Sequence, residues 1–450
     1  MARNQECMDH NTRKDSFAKS FGRGFLAVLT MAATCPLIGQ SPPASTSHPQ
    51  NEVYGTLPAP TGDFKVGRVT VHWVDSSRIE PLSPDHDYRE LMVDIWYPAE
   101  PSSGAIAPYL DTSAFEKVLG TTGFRDQFRG ASDAILKGVR THAIVGAPFA
   151  GSAGGKAKRS PVLIFSPGGG MAREVYTAQM EDLASHGYII AAISHPYDAI
   201  LTVLPGGQSI QYHSKRWPTI PSLEGVVNLN QLEWHAEDIR FVLNQLMVAH
   251  DTASSKLPFA PFIDTLRIGA FGHSFGGMAA AHACQLDSRL RACLDEDGVA
   301  AKQPFYLDSR GWGMDQAFML IERAAPTSPP SDQELAKLRL TRPKAENLLR
   351  RVAEAHNTAL RKTGKGGYDI VLTDKNTSHT DFSDLNVLGA HDAAEFQARK
   401  KFLEIVESYT RAFFDGNLSG VPEPLIESSA ASVLVVRSER FQPATPPCGK

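Results

Sequence analysis

The stretch "RIGAFGHSFGGMAA" sets Ser274 between Gly272 and Gly276, the G-x-S-x-G spacing of a nucleophilic serine on a tight strand-to-helix turn. The chain holds 36 glycines, so the pentapeptide alone carries little weight. Its surroundings carry more. "LRIGAFGHS" reads as a strand buried on both faces, and "FGGMAAAHACQL" as a helix of small residues. Glycines at 272 and 276 remove the Cβ atoms that would collide where strand and helix cross. The Ser274 hydroxyl is left at the sheet edge, beside a helix N-terminus that favours developing negative charge.

A serine hydroxyl attacks a carbonyl only when a base removes its proton. On a turn of this kind the partners follow the nucleophile in the chain, acid before base. Of the 15 histidines, His282, His356, His379 and His391 lie beyond Ser274. His282 falls on the helix after the serine, ahead of every candidate acid. His356 lies in the helical pattern "RVAEAHNTALRK", and His391 opens the last helix. His379, in "YDIVLTDKNTSHTDFSDL", follows a strand in a loop rich in turn residues and is the base this reasoning selects.

Asp295, Glu296 and Asp297 end the strand after the helix, and Glu322 ends the next. Alternation puts Asp295 and Asp297 on one side and Glu296 on the other. Asp297 is farthest out, beside Gly298, and is the preferred acid, with Glu322 second. Acyl transfer also needs donors for the tetrahedral oxyanion. The N–H of Phe275 follows the nucleophile directly, and the N–H of Gly169 lies in "FSPGGG", where three glycines let a backbone approach a substrate. His195, in "ISHPYD", ends a strand near the same edge, either lining an acyl site or serving as an ordinary loop residue. His273 and Phe275 read as packing and entrance residues.

The elements that must position these groups begin with "KVGRVTVHWVD" and "LMVDIWYPAE", which alternate as strands do. From residue 161 the pattern becomes strand and helix in turn. "PVLIFSP", "YIIAAISHP", "LRIGAFGHS", "LRACLDED" and "QAFMLIER" are apolar strands; "REVYTAQMEDLASHG" and "QLEWHAEDIRFVLNQLMVAH" are helices. Such alternation predicts an α/β fold, a mostly parallel central sheet flanked by helices, with its site at the C-terminal strand ends. The loop "GAPFAGSAGGKAKRS" is no P-loop, having Ala150 and Ala157 where glycine and Ser or Thr are required.

A formal net charge of −4 gives no footing for a nucleic-acid partner. The five cysteines form no disulfide framework or C-x-x-C pair, and no zinc-ligand spacing occurs. Arg13, Lys14, Lys19 and Arg23 precede a short apolar run from Phe25 to Thr34 and then small residues, the order of a secretory signal peptide. The expected organisation is a signal peptide over 1–35 and a Pro/Ser-rich linker over 36–62. A catalytic domain over 63–420 and a tail over 421–450 follow. The mature protein is then secreted or periplasmic.

Taken together, "VLIFSPGGG", "EDLASHGYIIAAISHP", "GHSFGG", "LDEDG" and "SHTDFSD" resemble the plasma-type platelet-activating factor acetylhydrolases and their bacterial relatives, from about Gly62 to Asp415. The resemblance implies an α/β-hydrolase fold and hydrolysis, without metal or cofactor, of short acyl esters, acetylated or oxidised phospholipids included. It places the nucleophile on Ser274, the acid on Asp297, the base on His379 and the oxyanion amides on Gly169 and Phe275. It implies a small-molecule or lipid ester as partner and admits transient contact with a lipid surface. Two departures stand out. Pro167 replaces the histidine usual in the family's oxyanion loop, and the segment between Asp297 and His379 is longer, with a cap-like helical insertion over about 299–365. A lipase, cutinase-like polyesterase or peptidase would use the same residues, and a non-catalytic binding protein would keep the fold.

Overall fold

Short apolar runs bounded by glycine, proline and polar turns become the strands. The computed structural model describes residues 56–110, 115, 138–151, 158–213, 229–298, 314–324, 331–337, 341–344, 346–347, 360, 363–373, 377–421, 424–427 and 435–442. In chain order the strands are β1 (Lys65–Ile79), β2 (Tyr88–Ala99), β3 (Ile106–Pro108), β4 (Arg140–Val145), β5 (Ser160–Ser166), β6 (Ile189–Ser194) and β7 (Leu201–Val203). They continue with β8 (Ser209–Gln211), β9 (Ile263–His273), β10 (Ala292–Glu296), β11 (Ala317–Arg323), β12 (Gly367–Leu372) and β13 (Val435–Phe441). The longer helices are α1 (Thr177–Ser185), α2 (Leu229–Asp251), α3 (Phe275–Leu286) and α4 (Ala393–Phe414).

Eleven strands form one sheet in the order β13-β12-β11-β10-β9-β5-β6-β2-β1-β4-β3. From β6 through β12 all neighbours are parallel. The antiparallel strands β2 and β13 flank that block. From β5 the chain crosses to β6 on one side and returns to β9 on the other, so β5 and β9 border the crevice where strand order reverses. Ligand sites of open α/β sheets gather at that point.

Period-two alternation sorts the strand side chains into two cores. Leu163, Phe165, Ile190 and Leu294 pack with α1 and α4 on one face; Val162, Ile164, Ile189 and Cys293 pack with α2 and α3 on the other. Every residue of β5, β6, β10 and β12 is buried, which accounts for the continuous apolar runs. Gly187, at φ +100°, makes the turn that ends α1 before β6. Cys284 and Cys293 are paired as a disulfide between α3 and β10. Among the described residues no helix is long and apolar enough to cross a membrane.

Two expected boundaries shift. Residues after 420 are not wholly a tail: β13 pairs antiparallel with β12 and satisfies that strand's outer hydrogen bonds. The end of the expected linker docks on the domain, with Leu57 buried, Thr61 donating to Asp182 and the Gly62 N–H donating to Ser185 Oγ. The expected signal peptide lies outside the described residues, as does most of the insertion over about 299–365, of which β11 and a short helix at Asp332–Lys337 are described.

Candidate active site

β9 delivers Ser274 into a turn that only a tightly fitted neighbourhood allows. The serine has φ 55° and ψ −120°, a strained conformation that costs on the order of 1–3 kcal/mol. Its N–H donates to the Glu296 carbonyl at 2.8 Å, and its own carbonyl accepts from Met278 N at 3.2 Å. A Cβ on Gly272 or Gly276 would overlap the Ser166 carbonyl, so any larger residue would push the elbow away from β5. A Cβ on Gly277 would overlap the Asp295 carboxylate, which also accepts from the Gly298 N–H at 2.9 Å. Asp295 is therefore buried packing beneath the elbow.

His379 approaches from the loop after β12. Its Nε2 lies 2.6 Å from Ser274 Oγ, and its Nδ1 lies 2.6 Å from Asp297 Oδ2. Ser378 and Asp381 form a capping box around a single 3₁₀ turn, His379–Phe382, and so fix where the ring projects. That S-x-x-D spacing is a signal for such a turn in the sequence itself. Asp297 has φ 54° at the end of β10, and its N–H donates to the Ile321 carbonyl at 2.7 Å.

A residue the sequence reading missed completes the acid. Arg323, at the end of β11, donates its backbone N–H to Asp297 Oδ1 at 3.1 Å and its Nε–H to Oδ2 at 2.5 Å. Burial alone would push the Asp297 carboxyl up, but the guanidinium and His379 outweigh it and hold the group well below the usual carboxylate range. Asp297 is thus an anion that donors hold on both oxygens. Glu322, the alternative acid, is not the partner of His379 Nδ1.

The two expected oxyanion donors adjoin. A Cβ built on Gly169 would lie 3.6 Å from that of Phe275, and neither N–H has a hydrogen-bond partner among the described residues. The Met171 N–H closes the loop on the Gly168 carbonyl at 2.9 Å. Gly169 thus lies beside Phe275, the residue that follows Ser274, whose Oγ faces His379 Nε2. Among the described residues no group of three or more His, Cys, Asp or Glu side chains is arranged to hold a metal ion.

The other candidates go elsewhere. His195 is 2% exposed, bonded through Nδ1 to Asp238 at 2.8 Å and through Nε2 to Ser166 Oγ at 2.9 Å, and stacked on His235. It belongs to a buried polar network and not to a pocket wall. His282 pairs with Glu233, His391 is exposed, and His356 lies outside the described residues.

Glu296 faces away from Ser274, accepting from Gln179 Nε2 at 2.6 Å and Thr410 Oγ1 at 3.1 Å. Burial, opposed by these bonds, pushes its carboxyl up to about 8. Because the folded-state value is raised, its contribution to stability is present below the unfolded carboxylate range and is lost as pH rises through about 8. Glu296→Gln is expected to melt higher than wild type at pH 9 and to flatten the fall in Tm between pH 6 and pH 9, with ester turnover kept. Thermal melts read by circular dichroism across that range check this.

Comparisons with known proteins find acetylhydrolases and esterases. A family model described as platelet-activating factor acetylhydrolase, isoform II, matches residues 50–299, a span that includes Ser274 and Asp297 and stops before His379. A probable 1-alkyl-2-acetylglycerophosphocholine esterase of Arthroderma benhamiae is 29% identical over 252 residues, 54% of this chain and 58% of that protein. A platelet-activating factor acetylhydrolase of Canis lupus familiaris is 27% identical over 209 residues, 40% of this chain and 47% of that protein. The chain thus spans about half the length of the curated relatives it matches. Among solved structures, a ferulic acid esterase from Streptomyces cinnamoneus superposes with a TM-score of 0.61 at 28% identity, over 84% of this chain and 96% of that one.

Proposed function

The chain belongs to the platelet-activating factor acetylhydrolase, isoform II, family, and from that premise we propose that it is an exported serine esterase that releases short acyl groups, those of acetylated or oxidised phospholipids among them. The observation that carries the reading is His379, with one ring nitrogen 2.6 Å from Ser274 Oγ and the other 2.6 Å from Asp297. His379 Nε2 takes the hydroxyl proton as Oγ attacks the ester carbonyl. The carbonyl oxygen, now an anion, receives the N–H groups of Gly169 and Phe275. The imidazolium, held by Asp297, returns its proton to the departing alkoxide and leaves an acyl-serine. Water then gives a proton to Nε2 and attacks the acyl carbon, and Ser274 recovers its hydrogen as the acid departs. Export is supported by the order of basic, apolar and small residues before position 36.

Hydrolysis of p-nitrophenyl acetate, butyrate and palmitate, beside a 2-acetyl glycerophosphocholine, tests the reading. The acetyl esters are expected to exceed palmitate in kcat/KM by at least ~10-fold, the low end of what a single methylene contributes in a fitted pocket. The superposition on a ferulic acid esterase favours a second reading, an esterase for aromatic acids. Preference for methyl ferulate over both acetyl esters would decide for it. A folded protein that cleaves none of these esters would remove both.

A further inference from the structure

Behind the reacting groups, a line of hydrogen bonds joins three separate pieces of the site. His273 ends β9 beside Ser274, yet its ring is 1% exposed and turned inward. Its Nε2 lies 2.8 Å from the carbonyl oxygen of His379, and its Nδ1 lies 2.8 Å from Tyr176 Oη. Tyr176 Oη in turn lies 3.2 Å from the Gly168 nitrogen, in the loop that carries Gly169.

The proton positions follow from what each atom can do. A carbonyl only accepts, so Nε2 carries the hydrogen. Burial, with the His379 ring alongside, keeps the imidazole well below its usual range, so the ring is neutral and Nδ1 has a lone pair. That lone pair takes the Tyr176 O–H, and the tyrosine oxygen is left to accept from Gly168 N–H. Packing fixes the same partners: Phe382 stacks on His273 with ring centroids 5.7 Å apart, and Tyr176 lies against Phe165 at 4.7 Å. Space enforces it too, because a Cβ on Gly168 would sit 2.9 Å from His273 Nδ1.

We propose that His273 and Tyr176 are positioning residues that tie the oxyanion loop and the loop of His379 to the elbow, keeping the Gly169 N–H and His379 Nε2 in one register around Ser274. The proposal rests on the esterase reading, and neither side chain touches substrate. Its force comes from separation in the chain. Gly168 and His379 stand on loops from different strands, and this line is a route by which a shift of one is felt by the other. A displacement of about 1 Å at such a site costs on the order of 100-fold in rate.

Tyr176→Phe removes one oxygen and keeps the ring. It is expected to lower kcat on p-nitrophenyl acetate by about 10- to 100-fold with KM within about twofold of wild type. His273→Asn keeps an acceptor for Tyr176 and loses the donor to His379; His273→Gln does the reverse. The Tyr176→Phe/His273→Gln pair is expected to be no slower than the worse single variant, because both break the same link. Hydrogen exchange supplies a readout besides turnover. Tyr176→Phe should speed exchange in residues 167–172 and also in 377–383, whereas a local packing defect would speed it only around 176. A folded Tyr176→Phe protein with wild-type kcat, a loss confined to KM, or faster exchange in only one of the two loops would overturn the proposal. If wild type cleaves no ester, the esterase reading fails on its own and the exchange experiment still decides the coupling.

Discussion

Ser274→Ala is expected to reduce kcat on p-nitrophenyl acetate by about 10⁶-fold and to abolish labelling by a fluorophosphonate. The size follows from what the substitution leaves behind. The Gly169 and Phe275 amides still polarise the carbonyl, and His379 still activates water, but no covalent acyl-enzyme forms. Removal of any triad member in such a site leaves roughly 10³- to 10⁴-fold of catalysis over water. Folding is expected to be unaffected. Alanine meets the same positive φ that serine does, and among the described residues the hydrogen-bond partner of the serine hydroxyl is His379 Nε2. Melting temperature should therefore stay within about 2 °C, less than a 1 kcal/mol change produces in a domain of moderate size. Loss of both turnover and labelling in a folded variant assigns the nucleophile. Turnover that survives the substitution moves the chemistry to another group and removes the esterase mechanism given above.

Sequence and structure agree most closely where the signal is local. The parallel strands are legible because burial on both faces demands unbroken apolar runs, and the elbow because two glycines four apart allow one backbone crossing. Asp297 stands out from Asp295 by its place at the strand's end beside Gly298, and His379 by its place after another strand; the structure brings the two side chains within 2.6 Å. What stayed hidden depends on residues far apart in the chain. Arg323 reaches Asp297 from the neighbouring strand, and Tyr176 meets His273 across about one hundred positions; no periodicity links either pair. Alternation sets Glu296 on the side away from Asp297, where it meets Gln179 and Thr410, but those partners are far off in the chain and not legible in it. "VVRSERF" has four polar residues in a row and no alternation, and as an antiparallel edge after the last helix it stands outside the strand–helix rhythm that identified the others.

Asp297→Asn is the more searching substitution, because its effect depends on which atom faces which donor. In wild type Oδ2 accepts from both His379 Nδ1 and Arg323 Nε, and Oδ1 accepts from the Arg323 backbone N–H. An asparagine has one acceptor oxygen and one NH₂ donor for these three donors. With the NH₂ toward His379, the imidazole must turn Nδ1 into an acceptor and carry its hydrogen on Nε2, where it cannot take the Ser274 proton. With the NH₂ toward Oδ1's place, two N–H groups oppose each other. The expected loss is about 10⁴-fold in kcat, with KM little changed. Stability should fall as well, because Arg323 loses its counter-charge. The sign with pH is fixed by the depressed Asp297 carboxyl: its stabilisation is complete above the unfolded value of about 4 and is lost as pH falls through the lower folded value. The gap in melting temperature between wild type and Asp297→Asn is therefore widest near pH 7 and narrows below about pH 4. Turnover against pH, with thermal melts on the same samples, reads both effects. A variant that keeps more than about a tenth of wild-type kcat would mean that another carboxylate orients His379, and Glu322, beside Arg323 on the next strand, would be the one to replace.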